Sequence, residues 1–296
     1  MAPPDLREKV TSTFSTTDAY LDLLIRRVTA IDFDIELLSH LESSLGRRLK
    51  PNSAPFLDRV RYRIAELVSP DGFQVGKLVD STERLEGEDY PQKGFSMVGE
   101  KRLRHLIDLI KSIVGERVPG DIIETGVWRG GAALVAKGAL MALGDTKRKL
   151  VLADSFEGLP KPGITHHTKD AINLSDIDYL SVSEDEVRET FSRFGLLDEG
   201  VEFLKGWFHE TLPTLRDREF SLLRLDGDLY SSTMVALEEL YPRLNLQGYV
   251  VIDDWQIDEC REAVEDFRNK IGVDEEIIDI DRSSVFWRKQ NALDAP

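Results

Sequence analysis

Two apolar runs in the second half of the chain each lead into a pair of acidic residues. Asp226 and Asp228 follow the run SLLRL, and Asp253 and Asp254 follow the run YVVI. If these runs are neighbouring strands of a parallel sheet, their carboxyl ends meet at one edge and the four carboxylates converge. Carboxylates at close range repel one another, and a divalent cation relieves that repulsion. Oxygen ligands without a nearby His or Cys favour a hard cation such as Mg²⁺.

These four acids indicate a reaction as well as a site. With Asp226, Asp253 and Asp254 as ligands, the cation would bind a substrate hydroxyl and lower its pKa. Asp228 lies two residues from a ligand and would accept the hydroxyl proton as a general base. The chemistry would then be the activation of a hydroxyl group as a nucleophile. The alternative interpretation is that these acids only cap the turns that follow two strands.

A second candidate site lies earlier in the chain, in the stretch DIIETGVWRGG at 121–131. An apolar run closes on Glu124, Gly126 permits a positive φ or a close ligand, and the helix that follows favours a carboxylate at its N-terminus. A dinucleotide fingerprint needs glycine where Glu124 stands, which argues against NAD. Asp154 ends the next apolar run and would accept hydrogen bonds from two ribose hydroxyls. The pattern indicates a nucleoside site, although glycine turns before helices are also ordinary structural features.

The elements that would position these residues alternate along the chain. Strand-like runs are centred on 121–125, 150–154, 201–204, 221–226 and 249–253, and helical spacing follows at 132–137, 187–194, 232–241 and 258–270. This alternation predicts an α/β domain with a doubly wound, mainly parallel sheet and ligands at the strand C-termini. Runs at 275–280 and 284–287 are expected to form a closing antiparallel pair. A capping box at 183–186 is expected to begin one helix.

The N-terminal part of the chain has a different pattern. Apolar residues between 21 and 45 recur at steps of three and four, which predicts one amphipathic helix from 19 to 49. A second helix at 57–67 would complete a hairpin that packs either on the main domain or on a second subunit. We therefore divide the chain into an N-terminal helical extension with an inserted hairpin at 1–80 and a main domain at 81–296.

Composition limits the environments and partners that the chain can have. The net charge of −16 repels a phosphate backbone, so nucleic acid is not expected as a partner. No run approaches the roughly 18 apolar residues of a membrane span, so no membrane partner is expected. The N-terminus has no apolar signal segment, and the single cysteine, Cys260, excludes an intramolecular disulfide. A cytoplasmic location is the expectation.

The sequence resembles the metal-dependent and S-adenosylmethionine-dependent sugar O-methyltransferases of the macrocin and mycinamicin (TylF) type. The resemblance covers about residues 80–290 in collinear order. The motifs that carry it are GEDYP at 87–91, SMVG at 96–99, VPGDIIETGVWRGG at 118–131, DSFEG at 154–158, GLLD at 195–198, GWF at 206–208, LDGDLYS at 225–231, GYVVIDD at 248–254 and CREAV at 260–264.

The resemblance implies a Rossmann-like class I methyltransferase fold, S-adenosylmethionine as methyl donor and Mg²⁺ at Asp226, Asp253 and Asp254, with Asp228 as general base. Within the implied cofactor site, 124–128 would hold the methionine end, Asp154 the ribose and 207–208 the adenine, while 96–97 would close over the cofactor. The cofactor-binding residues are then Ser96, Met97, Glu124, Thr125, Gly126, Val127, Trp128, Asp154, Ser155, Phe156, Trp207 and Phe208. The family also implies a homo-oligomer and a mobile lid at 89–91.

The expected function is methyl transfer to a hydroxyl of a small-molecule acceptor, on a sugar of a glycosylated natural product. Two departures from the family lie where acceptors are chosen: the insertion at about 34–65, and a loop at 161–181 without the acidic residue of some macrolide enzymes. A macrolide acceptor is therefore not assumed. His166 and His167 in this loop would either assist an acceptor or be ordinary exposed residues. The alternatives are O-methylation of a catechol-type hydroxyl, and a non-catalytic interaction protein, against which the complete carboxylate set argues.

Overall fold

The computed structural model describes residues 15–31, 35–37, 76–78, 81–161, 167–175 and 177–292. Its strands are β1 (Ile35–Leu37), β2 (Gly76–Leu78), β3 (Asp121–Thr125), β4 (Leu150–Asp154), β5 (Val201–Lys205), β6 (Phe220–Leu225), β7 (Leu244–Ile252), β8 (Ile278–Asp279) and β9 (Val285–Arg288). Its α-helices are α1 (Thr16–Thr29), α2 (Ser81–Glu86), α3 (Glu100–Gly115), α4 (Gly131–Ala142), α5 (Glu184–Arg193), α6 (Phe208–Thr211), α7 (Tyr230–Leu240) and α8 (Asp258–Ile271).

A seven-stranded sheet in the order β5-β4-β3-β6-β7-β9-β8 forms the centre of the molecule. Strands β3 to β7 are parallel, and β9 and β8 close the sheet in antiparallel pairing. The chain winds from β3 outward to β5, then returns to β6 on the other side of β3. The switch point therefore lies between β3 and β6, where open α/β sheets bind their ligands. The predicted α/β class, the doubly wound sheet and the closing antiparallel pair are confirmed.

Both faces of the sheet are covered, as parallel sheets require. Ile122 and Ile123 are consecutive on β3 and belong to different hydrophobic clusters, because neighbouring strand residues point to opposite faces. One cluster includes apolar residues of α1, α3, α4 and α5, and the other includes those of α7 and α8. The predicted capping box at Ser183 is present, with both of its hydrogen bonds to Glu186. These layers hold the strand C-termini at one edge.

The N-terminal helix is shorter than predicted. The side chain of Ser15 caps α1, and α1 ends where Ala30 adopts a left-handed φ of 52°. Residues 35–37 form a strand that pairs antiparallel with β2, so the prediction of one helix from 19 to 49 is wrong at 30–31 and 35–37, and 38–49 lie outside the described residues. The predicted second helix at 57–67 lies outside the described residues, and so does His166.

Helix α1 packs closely on helix α4, which covers one face of the seven-stranded sheet. A Cβ on Gly138 would come within 2.4 Å of Leu24 Cδ2 and 3.2 Å of the Tyr20 hydroxyl, so the glycine permits this approach. Apolar residues of α1 are buried in the same cluster as those of α4. In the part of the chain that the structure describes, no helix combines the length and the apolar character that a membrane crossing needs.

Candidate active site

The register of the parallel strands places the predicted site residues along one edge. At the strand ends, Asp226 N donates to the Thr125 carbonyl (2.9 Å) and Asp253 N donates to the Leu225 carbonyl (2.9 Å). Gly126 N likewise donates to the Ala153 carbonyl at 2.9 Å. In each case the first residue after a strand donates its backbone N–H to a carbonyl at the end of the neighbouring strand. The side chains that follow β3, β4, β6 and β7 are therefore brought to the same rim.

Asp226, Asp253 and Asp254 come together at this rim. Each offers a carboxylate oxygen, and these three oxygens lie within 4.8 Å of one another. Burial and the neighbouring Asp253 raise the pKa of Asp226 to about 6. Burial and the nearby Asp228 raise the pKa of Asp254 well above its usual value. Burial is the larger cause of both shifts, and repulsion between the neighbouring carboxylates adds to it.

Asp228 lies on the turn that leaves β6, with a left-handed φ of 59°. Its backbone N–H donates to Oδ2 of Asp254 at 3.0 Å, which ties the turn to the carboxylate cluster. Burial raises the pKa of Asp228 to about 7, and repulsion from Asp226 adds to the effect. A carboxyl group with this pKa can exchange a proton near neutral pH, as a general base must.

Two buried arginines that the sequence analysis did not identify contact the carboxylate cluster at the rim. Arg224 donates through one nitrogen to Glu124 Oε1 (2.6 Å) and Asp226 Oδ2 (2.9 Å). Its other terminal nitrogen lies 2.7 Å from Asp253 Oδ1 as an ion contact without hydrogen-bond alignment. Arg102 from α3 donates to Asp253 Oδ2 at 2.8 Å. Burial acts to raise the pKa of Asp253, but the two guanidinium groups outweigh it and hold that pKa below its usual value.

Arg224 could have been found from the sequence, and Arg102 could not. Arg224 interrupts the run SLLRL, and every residue of β6 is buried. A buried cation needs a partner, so this residue points to acids on adjacent strands. Arg102 lies on the amphipathic helix α3, far from Asp253 in sequence, and it also donates to Asp281 Oδ2 at 2.7 Å. Only the packing of α3 against the sheet shows that this arginine reaches the rim.

A cavity of about 290 Å³ opens beside the carboxylates at the switch point. The predicted residues that line it are Met97, Gly126, Val127, Trp128, Asp154, Ser155, Trp207, Phe208, Asp226 and Asp228. Sequence reasoning missed the lining residues Gly158, Leu159, Pro160, Leu180, Gly206, His209, Ser231, Ser232 and Val235. The predicted residues that are not part of this wall are Ser96, Glu124, Thr125, Phe156, Asp253 and Asp254, of which all but Asp254 are buried. The predicted cofactor-binding residues thus form two groups: those that line the cavity and those that lie behind the lining.

Backbone N–H groups position Asp154 at the end of β4. Val127 N donates to its Oδ2 (2.7 Å) and Phe156 N donates to its Oδ1 (2.8 Å). The Ser155 hydroxyl lies within 3.4 Å of Oδ1 as a further donor. Burial raises the pKa of Asp154 although these N–H groups oppose the shift.

Glycine is required where β3 leads into the cavity wall. Gly126 has a φ of 85°, and a Cβ there would lie 1.7 Å from the Asp226 carbonyl oxygen. The turns after β3 and β6 therefore touch backbone to backbone. Glu124 lies beneath this contact, and burial raises its pKa to about 8 despite the opposing charge of Arg224. Its Oε2 is buried without a hydrogen-bond partner among the described residues.

The segment predicted as a lid is fastened to the cavity wall. Arg129 donates through one nitrogen to the carbonyls of Pro91, Gln92 and Gly94 at 2.9–3.1 Å. The Tyr179 hydroxyl donates to the Pro91 carbonyl (2.5 Å), and Trp128 Nε1 donates to the Tyr179 carbonyl (2.9 Å). Residues 91–94 are thus connected to the turn that carries Trp128.

The residues present fit both groups that the sequence predicted. The carboxylates at the rim outnumber the guanidinium groups of Arg102 and Arg224 that contact them, so a divalent cation at Asp226, Asp253 and Asp254 would relieve a real charge excess. The cavity offers the aromatic pair Trp207 and Phe208 on one side and the Asp154 carboxylate on another. These suit the base and the ribose of a nucleoside.

Comparison with known proteins gives consistent results. The profile of the macrocin-O-methyltransferase (TylF) family matches residues 17–289. The chain is 46% identical over 239 residues to 8-demethyl-8-(2,3-dimethoxy-alpha-L-rhamnosyl)-tetracenomycin-C 4'-O-methyltransferase of Streptomyces olivaceus, covering 79% of this chain and 92% of that protein. It is 41% identical over 243 residues to mycinamicin III 3''-O-methyltransferase of Micromonospora griseorubida, covering 79% and 96%. The solved structure of the O-methyltransferase NovP superposes with a TM-score of 0.77 at 35% identity, over 93% of this chain and 100% of that one.

Proposed function

Since this chain belongs to the macrocin-O-methyltransferase (TylF) family, we propose that it transfers the methyl group of S-adenosylmethionine to a sugar hydroxyl of a glycosylated natural product with the help of Mg²⁺. The resemblance found in the sequence is confirmed, and the chain is an O-methyltransferase. The names of the relatives support the acceptor class: one acts on a rhamnosyl-tetracenomycin, one on mycinamicin III and a third on demethyldecarbamoylnovobiocin. The methyl donor, the metal and the acceptor are the proposed parts.

The observation that carries the metal proposal is the convergence of Asp226, Asp253 and Asp254 beside the cavity. Bound there, a divalent cation supplies positive charge that lowers the pKa of a hydroxyl beside it. Arg224 and Arg102 hold Asp226 and Asp253 in place from beneath, so the carboxylates stay in position. Asp254 orients the turn of Asp228 through its bond to the backbone N–H.

Asp228 is the proposed general base because it lines the cavity next to Asp226 and titrates near neutral pH. In its ionised form it would take the proton of the acceptor hydroxyl. The hydroxyl oxygen would then attack the methyl carbon of the sulfonium, and the carbon–sulfur bond would break as the carbon–oxygen bond forms. Holding both reactants in this geometry can supply an effective molarity of about 10⁵ M or more.

In the proposed cofactor site, the lining residues contact the methyl donor and the residues behind them support the wall. Gly126, Val127 and Trp128 would hold the methionine end, while Asp154 would accept from the ribose hydroxyls. The other proposed contacts are Met97, Ser155, Trp207 and Phe208. Ser96, Glu124, Thr125 and Phe156 are buried and would act through the backbone that they position.

A methyl-transfer assay tests the proposal. The protein is supplied with S-adenosylmethionine and Mg²⁺ against a panel of glycosides and simple catechols, and each reaction is repeated with EDTA. We expect methylated glycoside that EDTA abolishes. Product that persists in EDTA would show that the reaction does not need the metal. Product on catechols alone would show that the acceptor is a catechol and not a sugar. If calorimetry shows no binding of S-adenosylmethionine, the proposed donor is wrong.

Two further proposals concern organisation. One is a cytoplasmic location, and the other is a homo-oligomer, which the family resemblance favours. We also keep the division into an extension at 1–80 and a catalytic domain at 81–296 as a proposal. Light scattering on the full chain and on the fragment 81–296 tests both: a monomeric full chain would contradict the oligomer, and an unfolded fragment would contradict the division.

A further inference from the structure

A second cavity, of about 420 Å³, lies along helix α7. It shares two lining residues, Ser231 and Val235, with the cavity at the switch point. Both volumes are near or within the range of about 300–1,000 Å³ that small-molecule sites occupy. The two cavities therefore adjoin along the first turn and a half of α7. We call this second cavity the α7 groove.

One face of α7 forms the floor of the groove. Ser231, Met234, Val235 and Glu238 recur at steps of three and four, so they lie on the same side of the helix. From Ser231 to Glu238 the helix rises about 10 Å, roughly the length of two fused rings. The apolar residues Met234 and Val235 are only half-buried, so their side chains are available to a ligand. The floor begins three residues after Asp228 and becomes charged only at its far end.

An aromatic pair, with one ring from α7 itself, also lines the groove. The His167 ring stacks on the Tyr230 ring, with centroids 4.6 Å apart and planes 21° apart. Asp170 fixes the loop beneath, because its two oxygens accept from His167 N (3.1 Å) and Ser231 N (3.0 Å). The Tyr230 hydroxyl donates to Asp266 at 2.9 Å. An exposed imidazole is thus held against the start of α7, where it can stack on a planar ligand.

The charged groups around the groove already have partners. Lys270 pairs with Glu238 at 2.7 Å, and Lys169 pairs with Glu262 at 2.8 Å and also with Asp266. Recognition of an ionic ligand would need at least one unpaired charge. The surface that remains, Met234, Val235 and the His167 ring, suits an uncharged and largely apolar ligand.

We propose that the α7 groove binds the aglycone of the acceptor, as an uncharged ring system, while the sugar lies at the carboxylate rim. This inference rests on the proposed function, because it extends the same acceptor site outward from Asp228. It assigns acceptor selection to Met234, Val235 and His167. It also gives a role to the loop around His167, which lies in the stretch where the sequence departs from some macrolide enzymes.

The methionines of the chain provide a test that does not depend on turnover. The sequence has four, Met1, Met97, Met141 and Met234, so methyl-¹³C labelling gives a simple NMR spectrum. Met97 lines the first cavity, Met234 lines the groove, and Met141 is 50% exposed on α4 and serves as the control. Met→Leu variants assign the signals. The full chain with Mg²⁺ and S-adenosylhomocysteine is titrated with 4-methylumbelliferyl α-L-rhamnoside and, separately, with methyl α-L-rhamnoside.

We expect the coumarin glycoside to shift the Met234 signal and methyl rhamnoside to shift it by less than half as much, while Met141 stays in place. No shift of Met234 with the coumarin glycoside, or an equal shift with both sugars, would overturn the groove assignment. The proposed function fails by a different observation, made before the titration: the addition of S-adenosylhomocysteine to the protein would leave the Met97 signal unmoved. The two failures are thus read from different methyl groups in one experiment.

A matched pair of variants gives the second measurement. Met234→Ala removes apolar surface from the groove, and Met141→Ala removes the same side chain from an exposed position on α4. We expect Met234→Ala to weaken binding of the coumarin glycoside about tenfold and to leave S-adenosylhomocysteine binding unchanged. Met141→Ala should change neither. An equal loss in both variants, or none in Met234→Ala, would contradict the proposal.

Discussion

The rim of the sheet has two halves that are built by different means. The cofactor half follows β3, β4 and β5, and the acid that lines the cavity there, Asp154, is held by backbone N–H groups. The carboxylate half follows β6 and β7, and two of its acids, Asp226 and Asp253, are held by the buried side chains of Arg224 and Arg102. Gly126 is the point where the halves touch, backbone against backbone.

This difference predicts which half the chain completes by itself. In the cofactor half, backbone N–H groups already bind the Asp154 carboxylate, so this part of the cavity wall exists before a ligand arrives. In the carboxylate half, the acids outnumber the guanidinium groups that contact them, and the pKa values of Asp226 and Asp228 rise to about 6 and about 7. The proposed cation would supply positive charge to this half. A substitution in the carboxylate half should therefore lower turnover and leave the affinity for the cofactor nearly unchanged.

The largest effect is expected for Asp226→Ala. Turnover should fall by about 10³-fold or more, because the charge of a metal ion contributes several kcal/mol to such reactions and each 1.36 kcal/mol is a factor of ten. The affinity for S-adenosylmethionine should stay nearly unchanged. Steady-state assays and calorimetry on the same preparation measure the two quantities. Asp217→Ala, an exposed acid before β6, is the control and should alter neither.

Either of two results for Asp226→Ala would break the comparison between the halves. Unchanged turnover would show that Asp226 is not a ligand of a catalytic metal ion. Loss of cofactor binding in parallel with turnover would show that the two halves form one site, since Asp226 also lines the cofactor cavity.

The next largest effect is expected for Arg224→Met. The variant leaves Glu124, Asp226 and Asp253 without their shared cation, and breaking such a buried contact costs about 3–5 kcal/mol of the free energy of unfolding. Urea denaturation in EDTA measures this cost. Arg193→Met is the control because its pair with Glu189 is exposed, and it should change stability by about 0.5 kcal/mol or less. Similar values for the two variants would show that Arg224 does not hold the cluster.

Gly126→Ala should have a smaller effect, on the contact between the halves. The new Cβ would meet the Asp226 carbonyl at a positive φ, so we expect a loss of about 2–4 kcal/mol in the free energy of unfolding. Gly144 has a similar φ of 75° with nothing within 4 Å of a built Cβ. Gly144→Ala should therefore cost only about 1–2 kcal/mol for the left-handed backbone. Equal losses would mean that the close approach at Gly126 is readily relaxed.

Much of this architecture could be predicted from the sequence because the signals are local. The alternation of apolar runs and helical spacing gave the five parallel strands and the closing pair. The convergence of Asp226, Asp253 and Asp254 followed from a general property of parallel sheets, whose strands end at one edge. These inferences needed only strand ends and the order of elements.

The features that escaped prediction depend on contacts between distant parts of the chain. The apolar spacing after Thr29 is helical, but 35–37 pair as a strand with 76–78, and a tertiary contact overrides local propensity there. Arg102 reaches Asp253 only because α3 packs against the sheet. The Glu124 side chain, grouped by pattern with the cofactor, lies under the wall against Arg224 because a strand residue must point to one face or the other.

The smallest effect is expected in the pH dependence of metal stabilisation, which tests the charge excess of the carboxylate half directly. In the metal-free fold the pKa values of Asp226 and Asp228 lie above their ordinary value of 3.8, so the fold prefers their neutral forms. Their contribution to stability is therefore present at low pH and is lost as the pH rises from about 4 through about 7. Mg²⁺ binds the ionised forms, so its stabilising effect should grow over the same interval.

The measurement is the difference in Tm between Mg²⁺ and EDTA, taken at several pH values from 5 to 8. We expect the difference to be larger at pH 8 than at pH 5 by a few degrees, because 1 kcal/mol corresponds to about 2–4 °C for domains of roughly 150–250 residues. Asp226→Ala removes one ligand and should flatten this dependence. A difference that is constant or falls with pH would mean that the acids at the end of β6 and β7 are balanced without a cation, and the distinction between the two halves of the rim would be lost.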